Sequence, residues 1–127
     1  MKVILDANAL MMPAQFQVDL FDELRRVVGA FEPVVLSGVV HELTGLSRSG
    51  GRDGAAAKCG LALIDRCSVV EFIDAKSVSV DEQLVEYAVQ NDCLVVTNDR
   101  RVREALFARG IGAISMRGRK KLELLRR

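Results

Sequence analysis

The sequence predicts an α/β fold of three layers, with a central parallel sheet carrying helices on both faces. Two observations carry that expectation. Short apolar, β-branched runs alternate with amphipathic helical patterns along the whole chain, and the segments between successive runs are long enough for the crossovers that parallel strands require. A length of 127 residues suits one domain, which at this size buries roughly two thirds of the surface of its unfolded chain.

In chain order, Val3-Ile4-Leu5 reads as a buried strand that stops at the polar turn Asp6-Ala7-Asn8. Phe16, Leu20, Phe21, Leu24, Val27 and Val28 then fall on one stripe of a first helix, and that stripe serves either the domain core or a homodimer interface. Val34-Val35-Leu36 is the second strand, with Ser37 placed to cap a helix from about Gly38 to Leu46. Ser47 to Gly54 has no apolar content and reads as a Gly-rich loop before a third helix from Ala55 to Arg66. The third strand runs from Val69 to Ile73. Ser79-Val80-Asp81-Glu82 is a capping box opening a helix with Leu84, Val85, Ala88 and Val89 on its apolar face. Leu94 to Thr97 is the fourth strand, and Asn98 can cap a helix that starts near Asp99 and stops at Gly110. Ala113 to Met116 completes a set of five.

Composition narrows the function. Half the residues are apolar and 28% charged, which fits a folded soluble protein rather than a disordered chain. With no Trp and one Tyr, the platforms on which unpaired bases stack are poorly supplied. The cysteines, Cys59, Cys67 and Cys93, are odd in number and lack C-x-x-C spacing, so neither a disulfide framework nor a zinc knuckle is supported, and a reducing compartment is expected. No run reaches the length of a secretion signal or a membrane span, so the expected setting is cytoplasmic, without a membrane partner. Neither phosphate-binding glycine signature occurs, which disfavours a nucleotide cofactor. His41 is the single histidine; a His-rich metal centre is excluded, and His41 reads as an ordinary satisfied imidazole.

Net charge is only +1, yet residues 117–127 hold six Lys/Arg and one Glu, leaving 12 basic against 16 acidic residues elsewhere. Two readings of this tail stand: a segment that grips phosphate, with Arg119 and Lys120 at its centre, or a solvated basic final helix.

In a parallel sheet the loops after all strands gather at one edge, where ligands bind. Acidic residues recur there. Asp6 follows strand 1, Glu42 lies early in the helix after strand 2, Asp81 opens the helix after strand 3, and Asp99 follows strand 4. Asp81 and Asp99 are also suited to first-turn positions by the helix dipole, and Glu42 alone would read as a solvated helix residue. Asp6 caps no evident helix and ends a strand that should be buried. Like charges about 4 Å apart repel by on the order of 4 kcal/mol at an effective dielectric near 20, so four converging carboxylates call for a cation. Oxygen ligands without Cys or His select Mg²⁺ or Mn²⁺ over zinc. Arg48 and Arg52 in the Gly-rich loop, with Arg100 and Arg101 beside Asp99, form either a basic rim for phosphate groups or ordinary surface charge.

The segments Val3 to Asn8, Val39-Val40-His41-Glu42, Val80 through Ala88, and Val96-Thr97-Asn98-Asp99 resemble the four acidic motifs of PIN-domain nucleases, in order and spacing and over nearly the whole chain. The resemblance implies a strand order of 3-2-1-4-5, dependence on Mg²⁺ or Mn²⁺, and endonucleolytic cleavage of RNA. It gives Asp6, Glu42, Asp81 and Asp99 the catalytic, metal-binding roles, and Asn8, Thr97 and Asn98 supporting roles around them. Two departures are visible: Ala7 replaces the hydroxyl residue often found beside the first Asp, and Arg100, Arg101 and Arg103 follow Asp99 where many relatives carry a further carboxylate. The basic ending is more like the archaeal-type relatives of rRNA-processing PIN endonucleases. Toxin ribonucleases, partnered by a protein inhibitor, and a non-catalytic RNA-binding or scaffold domain are the alternatives. A receiver-like or phosphatase-like domain is disfavoured, because the fifth strand region offers no Lys and Asn8 breaks a D-x-D pattern.

Overall fold

The computed structural model describes residues 1–72 and 79–126. Its elements are β1 (Lys2–Leu5), α1 (Ala7–Phe16), α2 (Leu20–Val28), β2 (Glu32–Leu36), α3 (Ser37–Ser47), α4 (Gly51–Leu63) with a 3-10 turn at Ile64–Arg66, β3 (Ser68–Val70), α5 (Val80–Asn91), β4 (Leu94–Val96), α6 (Arg100–Ala108), β5 (Ala113–Arg117) and β6 (Lys121–Leu125). The sheet order is β3-β2-β1-β4-β5-β6. The first five strands are mutually parallel, with Leu5 level with Val96 and Val96 level with Ile114. The expected order 3-2-1-4-5 therefore holds, extended by one antiparallel strand that pairs Ser115 with Glu123.

Hydrophobic burial explains the placement. Val3, Ile4, Leu5, Val95 and Val96 are wholly buried in the two middle strands, as expected where helices cover both faces of a parallel sheet. Leu10, Leu24, Leu43, Leu84 and Leu106 bring one helix after another onto that core. Two glycines let backbones approach. A Cβ on Gly60 of α4 would meet the Leu10 carbonyl oxygen of α1 at 3.1 Å, and one on Gly38 of α3 would meet Val80 and Gln83 of α5 at 3.2 Å.

The structure corrects the sequence reading of several elements. The first helix is two: Gln17 takes the left-handed conformation (φ 53°) after α1, and Asp19 caps α2 by accepting from the Asp22 N–H at 3.1 Å. Ser37 begins α3 but makes no cap bond; Leu36 stands at the cap position. The supposed loop from Ser47 to Gly54 shrinks to a short turn, because α4 already starts at Gly51. Asp99, not Asn98, caps α6, its Oδ1 accepting from the Arg101 N–H at 2.8 Å. Finally, the basic stretch is not a final helix: residues 117–125 form the end of β5, a turn and β6 of a hairpin. The expected end of the third strand at Ile73, and the terminal Arg127, lie outside the described residues. Among the described residues, no helix is long and apolar enough to cross a membrane.

Candidate metal-dependent active site

The four carboxylates expected to converge line one cleft, together with Ala7, Asn8, Val39, Val80 and Leu84. Each reaches it from a different element. Asp6 leaves β1 and becomes the N-cap of α1, with Oδ1 accepting from the Ala9 N–H at 2.7 Å. The expectation that Asp6 caps no helix is thereby overturned. Glu42 lies one turn after Gly38 on α3, so both share a face, and Gly38 is the point where α3 touches Val80 and Gln83. That approach carries Glu42 towards Asp81 in the first turn of α5, where Ser79 caps the helix by accepting from the Glu82 N–H at 3.1 Å. Asp99 arrives from the end of β4.

The electrostatics of the site follows from that proximity. Asp6 is buried, and desolvation pushes its pKa from 3.8 to about 6, against hydrogen bonds from Thr97 and Ala9 that favour the charged form, with the Asp81 and Glu42 charges pushing further up. Partial desolvation and then the Asp81 charge raise Glu42. Desolvation and then the Asp99 charge raise Asp81, while Arg101 opposes them. Each of these carboxyls thus feels another across element boundaries. An all-oxygen donor set under mutual repulsion fits a hard divalent cation; His41 is exposed and absent from the cleft lining. Among the described residues, no three Asp, Glu, His or Cys side chains close into a ready-made ligand cluster. Mg²⁺, which keeps several of its waters, does not require one.

Thr97 is fully buried and joins the Asp6 carboxylate to the main chain of Asp99: its hydroxyl donates to Asp6 and its Oγ1 accepts from the Asp99 N–H at 3.1 Å. Asn98 turns away from the cleft, its Oδ1 accepting from the Met116 N–H at 2.8 Å, so it anchors the Asp99 turn to β5. Asn8 is exposed at the cleft wall. Of the arginines and lysines, Arg101 stands near enough to Asp81 to lower its pKa. Arg100 is exposed at the start of α6, Arg48 and Arg52 flank the α3–α4 turn, and Arg119 and Lys120 occupy the hairpin turn; none of these five lines the cleft.

One supporting residue escaped the sequence reading. Ser115 of β5 is buried and donates from Oγ to the Thr97 carbonyl at 2.6 Å, continuing the β4–β5 connection past the last strand pair. Its only signal is a hydroxyl inside the apolar run Ala113 to Met116, which does not reveal its partner.

A family model described as "PIN like domain" matches residues 3–119. The chain is 28% identical to Ribonuclease VapC4 of Methanocaldococcus jannaschii over 128 residues, covering 97% of this chain and 95% of that one. It is 30% identical to Ribonuclease VapC9 of Archaeoglobus fulgidus over 109 residues, covering 85% and 77%. Among solved structures, the PIN domain endonuclease Utp24 superposes with a TM-score of 0.80 at 27% identity, over 99% of this chain and 92% of that one.

Proposed function

The chain belongs to the PIN-like domain family, and on that premise we propose that it is a divalent-metal-dependent endoribonuclease. Asp6, Glu42, Asp81 and Asp99 hold Mg²⁺ or Mn²⁺ in this reading. The observation that carries it is the convergence of these four carboxylates, from four elements, on one cleft. The names of the relatives, two ribonucleases and an endonuclease, support RNA as the substrate.

A divalent ion held there would polarise the phosphodiester and lower the pKa of the attacking water. The chain's own residues do the rest. Thr97 fixes Asp6 and Asp99 relative to each other, Asn98 holds the turn that presents Asp99, and Asn8 offers an amide at the wall. Arg101 faces the acidic group and is placed to meet substrate phosphate, with Arg48, Arg52, Arg100, Arg119 and Lys120 as outer phosphate ligands.

The test is cleavage of structured RNA in Mn²⁺, Mg²⁺ or EDTA by the wild type, Asp6→Asn and Asp99→Asn. Chelation should abolish cutting, and each substitution should lower it by on the order of 100-fold while the fold persists. Equal cutting by the variants, or activity that survives EDTA, removes these residues from the chemistry and leaves the non-catalytic reading. Maturation of rRNA is the first biological setting, and the basic ending of the chain from Arg117 to Lys121 is what favours it. The toxin setting is favoured by the match to two VapC ribonucleases, and it predicts a protein inhibitor that silences cutting when titrated in.

A further inference from the structure

The hairpin formed by β5 and β6 stands beside the cleft and carries a dense run of positive charge. Because β1, β4 and β5 are parallel, their C-terminal ends share the edge that holds the carboxylates. Leu5, Val96 and Ile114 are level across the sheet, but β4 stops at Val96 whereas β5 continues to Arg117. Three further residues raise the hairpin about 10 Å beyond that level, and two strand spacings set it roughly 10 Å to the side of β1. Gly118 supplies the positive φ of the turn (65°), and Arg117, Arg119, Lys120 and Lys121 are all exposed around it.

The base of this projection is tied on both sides. The Met116 N–H donates to Asn98 Oδ1 at 2.8 Å, fastening β5 to the turn that presents Asp99. On the other side the Leu122 N–H donates to Glu23 Oε1 at 2.9 Å, and Arg26 Nη2 donates to the Leu122 carbonyl at 2.6 Å. The turn is thus held at a fixed position relative to the cleft.

We propose that the β5–β6 hairpin is an RNA-docking arm, whose basic turn takes the phosphates of the substrate strand a fixed distance from the bond to be cut. The inference rests on the ribonuclease reading and adds a footprint to it. At about 3.4 Å per nucleotide of a stacked strand, the turn lies roughly four nucleotides from the carboxylates. The arm makes cutting depend on substrate length on one side of the scissile bond.

The experiment measures binding of end-labelled single-stranded RNAs of three and twelve nucleotides by fluorescence anisotropy in EDTA, across a salt series, so that no cleavage is needed. Arg119→Glu with Lys120→Glu is compared with the wild type, and Arg119→Glu alone with Lys2→Glu, an equal charge change at the opposite edge of the sheet. The double variant should weaken the twelve-nucleotide RNA by on the order of 10-fold and flatten its salt slope by about 0.7 for each phosphate that is no longer neutralised. The three-nucleotide RNA should be bound as before. Arg119→Glu should weaken the long RNA more than Lys2→Glu does. Equal effects of those two, or equal losses of affinity for short and long RNA, overturn the arm. Failure of the nuclease reading shows separately, as absence of Mn²⁺-dependent cutting by a wild type whose binding still responds to the hairpin.

Discussion

Asp6 is held in a setting that both favours and opposes its charge. The Ala9 N–H and the Thr97 hydroxyl favour a carboxylate, but burial outweighs them and brings the pKa to about 6. Against 3.8 in the unfolded chain, that difference corresponds to roughly 3 kcal/mol. The sign follows from linkage: the folded state binds this proton more tightly, so its stabilising contribution is full below about pH 3.8 and fades as pH rises through about 6. In metal-free buffer the wild type should therefore gain stability as pH falls from about 7.5 to about 5, and Asp6→Asn should remove much of that gain while being the more stable protein at the upper pH. Denaturant unfolding at several pH values checks this, and a variant that keeps the wild-type slope contradicts it. The sequence marked Asp6 as the polar end of a buried strand. It did not mark the cap, because Ala7, Ala9, Leu10, Met11 and Met12 are all buried and leave little amphipathic periodicity to announce a helix.

Between β4 and α6, side chains take over where the main-chain ladder stops. The last β4–β5 pair is Val96 with Ile114. Beyond it the Thr97 N–H donates to the Ile114 carbonyl, Ser115 donates to the Thr97 carbonyl and Asn98 accepts from Met116. Ser115→Ala should leave the buried Thr97 carbonyl without this donor, costing about 1–3 kcal/mol. It should also lower cleavage well below the melting temperature, since a small displacement of Thr97 reaches both Asp6 and Asp99. Melting curves beside cleavage rates decide the matter; wild-type rates in a destabilised Ser115→Ala would confine Ser115 to stability. This layer was illegible in the sequence because hydroxyl partners depend on strand register, which local pattern does not give. The hairpin was missed for a related reason. The cations of residues 117–121 dominate that stretch, and β6 has no clean period-2 pattern to outweigh them, since Leu122 is buried but Leu124, on the same face, is exposed.

Across the whole molecule, the gathering of acidic residues at one edge was readable because it follows from topology, given parallel strands and buried β-branched runs, whereas the strand order came from the resemblance to PIN-domain nucleases. What escaped was set by packing, such as the approach at Gly38 that brings α3 and α5 together. The assembled site should respond as a unit. Mg²⁺ or Mn²⁺ at about a hundredfold excess over Kd should stabilise the wild type by about 2.7 kcal/mol, seen as a rise of several degrees in melting temperature. Asp81→Asn should reduce the rise and Asp81→Asn with Asp99→Asn should erase it; a wild type indifferent to both ions would dissolve the metal site. The Glu23–Arg26 pair on Leu122 also bears on how the protein behaves in a crowd. An outermost strand invites foreign chains to pair with its main chain, but at Leu122 both the donor and the acceptor are already engaged by α2. The chain thus plugs its own terminal rim, and a stray peptide seeking to extend the sheet there would first have to evict two charged side chains.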